Sequence, residues 1–108
     1  MQNLPKTFAA LSEPVRFAIV DRLLREGELS AGELGKGFDI TPPAVSQHLG
    51  VLREAGLVRR RARAQQRLYS VEPRGLSEVV DWANMARRFW ESGLDRLERA
   101  LKNEGQGK

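Results

Sequence analysis

Two helix-start signals follow one another closely in the middle of this chain, and their spacing limits the fold more than any other feature. Ser30-Ala31-Gly32-Glu33 has the form of a capping box: a serine at the N-cap and a glutamate three residues later, each side chain serving a backbone N–H of the other. Thr41-Pro42 is a second start, with a threonine oxygen for the cap and proline at the first helical position, where its missing N–H is not needed. The first of these helices, over 30–37, must be short, because Gly35 and Gly37 weaken it and Phe38-Asp39-Ile40 breaks its period. The second covers 41–55. Its Val45, Leu49 and Leu52 recur at i, i+4 and i+7 as one buried stripe, and Gly56 ends it. Pro43 disfavours helical geometry at Pro42, so a slightly distorted first turn is expected.

Two further helices precede this pair. Leu4, Phe8 and Leu11 share a face over 4–11. Ser12 then offers an N-cap oxygen and Pro14 sits in the next first turn. The helix that follows, over 15–25, has a broad apolar stripe of Val15, Phe17, Ile19, Val20, Leu23 and Leu24, closed by Gly27. After Gly56 the pattern changes to that of strands. Segments 57–63 and 67–71 predict a hairpin around Ala64-Gln65-Gln66, with Tyr69 and Val71 on one face. Pro73 and Gly75 punctuate, a long helix covers 76–102, and the final polar residues fray. The expectation is a single domain over 1–108, mainly α with a small β-hairpin, in the order α-α-α-α-β-β-α. Within it, 30–55 form a helix-turn-helix, 57–72 a wing, and the terminal helices 4–11 and 76–102 serve dimerisation.

A capped helix pair followed at once by a hairpin is the layout of a winged helix-turn-helix. Burying Val45, Leu49 and Leu52 leaves Pro43, Ser46, Gln47, Gly50 and Arg53 outward. An α-helix fits the DNA major groove, where Ser, Gln and Arg can bond base edges or phosphates. Gly50 costs about 1 kcal/mol of helix propensity against alanine, which a close approach to the DNA backbone would rationalise. From Arg53 to Arg74 there are seven arginines against two acids. For a hairpin alone, a solvated basic edge that resists aggregation explains such a run. Directly after a capped helix pair, phosphate or minor-groove contact explains it better. The whole chain carries 18 Lys and Arg against 14 Asp and Glu, so the placement of charge says more than its total.

Other classes have little to stand on. The chain has no cysteine, which excludes disulfides, thiolate metal sites and thiol switches. No stretch approaches the roughly 18 apolar residues of a membrane span, and the N-terminus lacks the layout of a signal peptide, so a cytoplasmic protein without a membrane partner is expected. A composition of 41% hydrophobic and 30% charged residues argues against disorder. A chain of 108 residues buries only about 65% of its unfolded surface, and a dimer that shares core would relieve that marginal stability. Ser46 and His48, two apart on one helix, point in different directions and cannot form a nucleophile–base pair. With no glycine-rich phosphate loop and no metal-ligand spacing, neither an enzyme nor a cofactor is expected.

Three segments together resemble the ArsR family of bacterial repressors: Leu11-Ser12-Glu13-Pro14-Val15-Arg16, Thr41-Pro42-Pro43-Ala44-Val45-Ser46-Gln47-His48-Leu49 and Leu52-Arg53-Glu54-Ala55-Gly56-Leu57-Val58. The similarity spans about 4–71. It implies a homodimer that binds a double-stranded DNA operator and releases it when an effector arrives, the effector itself being unidentified. It also implies that Ser46, Gln47 and His48 approach the DNA. Joined with the residue reading, this gives Thr41, Pro43, Ser46, Gln47, His48 and Arg53 on the helix, and Arg61, Arg63, Gln65, Gln66 and Arg67 on the wing, as candidate DNA-binding residues. Many relatives carry glycine at the wing turn; Ala64-Gln65-Gln66 departs from that and predicts a longer or looser tip. Metal sensors of the family use cysteines on the third helix or Asp and His pairs on the last. Here 32–36 contains no thiol, Asp81 has no histidine on its helix, and the one histidine is His48, so no metal site of either kind is expected.

On the last helix Leu76, Val79, Val80, Ala83, Ala86, Trp90, Leu94, Leu97 and Leu101 recur at helical spacing, and Trp82 and Phe89 add a second stripe. One stripe can cover the domain's own core while the other meets a partner; simple core and the lining of a ligand pocket are the alternatives. The dimer reading takes Phe8, Trp82, Ala86, Phe89, Trp90, Leu94, Leu97 and Leu101 as the interface. Segment 89–98 also resembles a cysteine-free branch of the same family. The competing function is a winged-helix module whose hairpin and helix dock a partner protein. RNA binding lacks the exposed aromatic platforms that single strands stack on.

Overall fold

Helix caps divide the chain as the sequence suggests, with two exceptions. The computed structural model describes residues 3–106. In chain order it contains α1 (Leu4–Leu11), α2 (Pro14–Glu26), β1 (Leu29–Ser30), α3 (Ala31–Gly35), α4 (Pro42–Glu54), β2 (Val58–Arg63), β3 (Gln66–Val71) and α5 (Pro73–Gln106). These fall into two compact units, one up to Glu78 and one from Val79 onward.

The capping box at α3 is complete. Ser30 Oγ accepts from Glu33 N at 3.1 Å, and Glu33 Oε1 accepts from Ser30 N at 3.0 Å. At α4, Thr41 Oγ1 accepts from Ala44 N at 3.3 Å. The first exception is α2, whose N-cap is Glu13 and not Ser12; the Glu13 carboxylate accepts from Arg16 N at 2.8 Å. Pro14 occupies the first helical position, so the residue just before it must cap, while Ser12 turns back and donates to Ala9 O. The second is α5, which starts at Pro73 and runs through Gln106, so Pro73 and Gly75 lie within its first turn and 103–106 are helical, not frayed.

The first unit is held by one apolar core. Ile19, Leu34, Leu49, Leu52 and Leu57 are fully buried, with Val20, Leu23, Val45 and Val58 around them. Each such side chain contributes about 1.5–3 kcal/mol over an exposed one. The inward faces are narrower than the apolar pattern suggested. α1 buries Leu4, Thr7 and Ala10 and leaves Phe8 40% exposed; Thr7 is accommodated because its hydroxyl donates to Asn3 O. Likewise α2 buries Ile19, Val20 and Leu23 but leaves Phe17 and Leu24 more than half exposed.

The sheet has three antiparallel strands in the order β1-β3-β2. The added strand, β1, is two residues long and shares Ser30 with the α3 cap, which explains why periodicity gave no sign of it. As the middle strand, β3 buries the neighbours Leu68 and Tyr69 although they point to opposite faces. Arg63 pairs with Gln66 across the turn, so the wing tip is only Ala64-Gln65. The expected looser tip is therefore not found. Ala64 takes φ 56° to make the turn, the left-handed conformation that glycine adopts without steric cost.

Gly75 is explained by a close approach. A Cβ at this position would run into the carbonyl oxygen of Gly56, which itself ends the α4 connection with φ +77°. Gly75→Ala should lower stability by about 1–3 kcal/mol, the range for overpacking a tight contact, as read from the urea midpoint at constant m-value.

The second unit is the remainder of α5. Along it Phe89 and Trp90 are 73% and 67% exposed, and Leu94, Leu97 and Leu101 about half. Among the described residues no helix is long and apolar enough to cross a membrane.

Candidate nucleic-acid interface

Which side chains α4 presents follows from which it buries. With Val45, Leu49 and Leu52 inward, Thr41, Pro43, Ser46, Gln47 and Arg53 are exposed. Ser46 and Arg53 open onto a concavity of about 490 Å³ between α4, the start of α3 and the wing. Gln65, Gln66 and Arg67 of the wing line the same hollow, together with Gly50, Arg60 and Tyr69. Gln47 faces an adjoining open hollow shared with Gly50, Arg53, Arg59 and Arg60. Thr41 stays at the helix start as its cap, and Pro43 is exposed in the first turn.

The wing separates its arginines by register. Opposed residues of an antiparallel pair share a face. Val58, Arg60 and Ala62 lie opposite Val71, Tyr69 and Arg67; Arg59, Arg61 and Arg63 lie opposite Ser70, Leu68 and Gln66. Arg60 and Arg67 therefore share the face of the concavity. A three-residue turn over 64–66 would instead have paired Arg61 with Tyr69 and Arg63 with Arg67. The shorter turn moves Arg61 and Arg63 to the other face and brings in Arg60, which was absent from the expected set. Tyr69, recognisable in sequence as inward, was the available signal for Arg60, but only with the two-residue turn in hand.

Arg61 is occupied on that far face. Its Nε and Nη2 donate to the two carboxylate oxygens of Glu28 at 2.7 and 2.6 Å. This fork spans β3, tying the middle of β2 to the residue that leads into β1. The Arg61 hydrogen bond holds the Glu28 carboxyl below its ordinary pKa, and the same bond raises that of Arg61. Arg59 Nε donates to Ser70 Oγ at 3.3 Å beside it.

His48 is also placed differently from its neighbours on α4. It is half-buried on the flank of the helix, its Nδ1 lying 3.3 Å from Arg16 Nη1 and 3.8 Å from Glu13 Oε2. Glycine at position 50 has no internal cause, since a Cβ there meets nothing within 4 Å. Among the described residues no group of three or more His, Cys, Asp or Glu could hold a metal ion.

Comparison with known proteins agrees with this geometry. A helix-turn-helix domain family model matches residues 11–61, from the end of α1 into β2. The HTH-type transcriptional regulator Rv2034 of Mycobacterium tuberculosis is 37% identical over 100 residues, 93% of this chain and 90% of its own. The crystal structure of the ArsR family transcriptional regulator RHA00566 superposes with TM-score 0.76 at 31% identity, covering 84% of this chain and 93% of that one. The chain belongs to the ArsR family of winged helix-turn-helix transcriptional regulators. The transcriptional repressor SdpR of Bacillus subtilis is a further relative, 33% identical over 69% of this chain and 82% of its own. In this ArsR member α3 and α4 are the helix-turn-helix and β2–β3 the wing, and the protein is a DNA-binding regulator of transcription.

Two outcomes are expected from this site. Gly50→Ala should raise stability by up to about 1 kcal/mol, because the helix gains propensity and nothing is displaced. The same change should weaken DNA binding, which separates a close approach by DNA from a folding role; calorimetry and fluorescence anisotropy read the two effects. For the Glu28–Arg61 fork, a carboxyl with lowered pKa contributes its stability at neutral pH and loses it as pH falls below the ordinary glutamate range. Amide exchange in β2 should then quicken relative to the core helices on acidification, and Glu28→Gln should show the same pattern at neutral pH.

Proposed function

We propose that this regulator is a homodimeric repressor acting in the cytoplasm, which lays the outward face of α4 in the major groove of an operator and seats the adjoining phosphates in the crook between α4 and the wing. The observation that carries it is the trio of Arg53, Arg60 and Arg67 on one concavity that no carboxylate lines. Guanidinium forks match phosphate geometry, and three of them in one hollow, against the single carboxylate of Glu54 in the adjoining one, leave a positive local field for an anion. Ser46 and Gln47 beside them can reach base edges. Gln65 and Gln66 at the tip suit polar contact to the DNA backbone or minor groove, and Thr41 and Pro43 come closest at the start of the helix. Arg63 joins from the outer face of the tip, whereas Arg61 supports the wing through Glu28.

The repressor sense rests on the relative of that name. The dimer rests on α5. From Trp82 to Leu101 its large apolar side chains are 41–73% exposed, a contiguous patch of the kind that marks an interaction surface. Trp90, Leu94, Leu97 and Leu101 follow the alternating four- and three-residue spacing of a helix–helix seam, with Ala86 one turn upstream of Trp90 and Phe89 beside it. A second copy is the partner that matches an operator of two half-sites, and Phe8 on α1, exposed in the first unit, is a further candidate for contact with it. Release of the operator on binding an effector completes the reading.

Salt titrations test the DNA side. Arg60→Ala and Arg67→Ala should each lower the slope of log K against log salt by about 0.9, and Arg63→Ala by less. Gln47→Ala should relax preference at particular base pairs; equal losses on every sequence would remove its base-reading role. On sedimentation, the wild type should run as a dimer at micromolar concentration, and Leu97→Glu should run as a monomer that no longer protects two half-sites about 34 Å apart.

A further inference from the structure

One cluster outside the concavity joins three helices of the first unit. Arg16 is its centre. Its backbone N–H is taken by the Glu13 cap at 2.8 Å, its Nε donates to Ala10 O at the end of α1 at 2.8 Å, and its Nη1 lies 3.3 Å from His48 Nδ1 on α4. Arginine donates and does not accept, so the contact to His48 requires Nδ1 to be the acceptor; Glu13 Oε2, which would accept from a protonated Nδ1, lies 3.8 Å away, beyond hydrogen-bond distance. In a neutral imidazole the proton is then on Nε2. Among the described residues no buried side-chain nitrogen or oxygen lacks a partner, and the His48 side chain is 22% exposed, so Nε2 faces solvent.

We propose that Arg16 is a positioning residue for the reading head: by donating to Nδ1 it locks His48 as its Nε2–H tautomer and presents that N–H, at the flank of α4, to an oxygen of the DNA backbone. The inference rests on the reading that α4 enters the major groove. A helix about 10–12 Å across fills a groove about 12 Å wide, so its flanks, and not only its outward face, meet the phosphate walls. His48 lies on such a flank, three residues after the buried Val45 and four before Leu52. Its role is then to fix the helix in the groove without reading sequence, while Arg16 ties the end of α1 to the same point.

His48 is the one histidine of the chain, so its ring nitrogens are observable without assignment ambiguity. Long-range proton–nitrogen spectra of the free protein at mildly alkaline pH should show a single Nε2–H tautomer. Arg16→Met should turn it into a mixture. A wild-type ring protonated on Nδ1, or on both nitrogens, overturns the proposal whether or not DNA binds. In anisotropy titrations His48→Ala should lower affinity about tenfold and Arg16→Met by only about twofold, the cost of a mixed tautomer, with the double variant no weaker than His48→Ala alone. His48→Gln should bind nearly as wild type, because its amide oxygen can accept from Arg16 while its NH₂ donates outward, and this variant keeps the test open if Arg16→Met folds poorly. Equal loss in His48→Gln and His48→Ala counts against the proposal. So does a salt slope reduced by about one in Arg16→Met, which would mean that Arg16 meets phosphate itself. Absence of any DNA binding by the wild type would instead defeat the groove reading, and the spectra would still report on the tautomer.

Discussion

The burial of Val45, Leu49 and Leu52 against Ile19, Leu34 and Leu57 is the constraint on which the other features of the first unit depend. It fixes the rotation of α4 about its own axis, and with it which side chains face outward. A rotation by one residue, about 100°, would bring Ser46 inward and turn a leucine to water. The caps at Ser30 and Thr41 set where α3 and α4 begin, but their bonds are local and would survive such a rotation. The core sets the reading face; the caps set its position along the axis.

The wing is organised differently. It has little apolar mass, and its strand β2 is exposed beyond Val58. Its orientation relies on hydrogen bonding: pairing with β3, the bond from Glu72 N to Leu57 O at its base, and the Glu28–Arg61 fork across its back. Exposed ion pairs contribute little to global stability. Their value here is directional, because a fork with two parallel bonds restricts angle more than a single contact does.

Much of this was legible in sequence because it depends on neighbours along the chain. The capping box, the Thr41-Pro42 start and the α4 stripe all lie within seven residues of their partners, and each is found as expected. What sequence missed depends on contacts at longer range. β1 exists only because β3 lies beside it, and Gly75 is in the helix because Gly56 approaches it from the previous connection. Phe17 and Leu24 extend the apolar pattern of α2, but the first unit has no mass over them. For the interface, the helix residues were readable from the stripe alone. On the wing, a single residue of turn length decides the assignment: the two-residue turn puts Arg60 on the face of the concavity and Arg61 on the far face, where Glu28 holds it. His48 was placed by its position on α4, while Arg16, thirty-two residues earlier, determines how its ring is held.

The two-residue turn at Ala64-Gln65 has a consequence for comparing this protein with its relatives. In a hairpin, parity governs what a side chain meets: lengthening a tip by one residue exchanges the two faces of the returning strand relative to the outgoing one. Two wings can thus carry arginines in the same columns of an alignment and present them to opposite sides of the sheet. Equivalence in this part of the fold is a property of strand register and not of sequence position, and a run such as Arg59-Arg60-Arg61 supplies a usable cation to either face whichever parity the turn adopts.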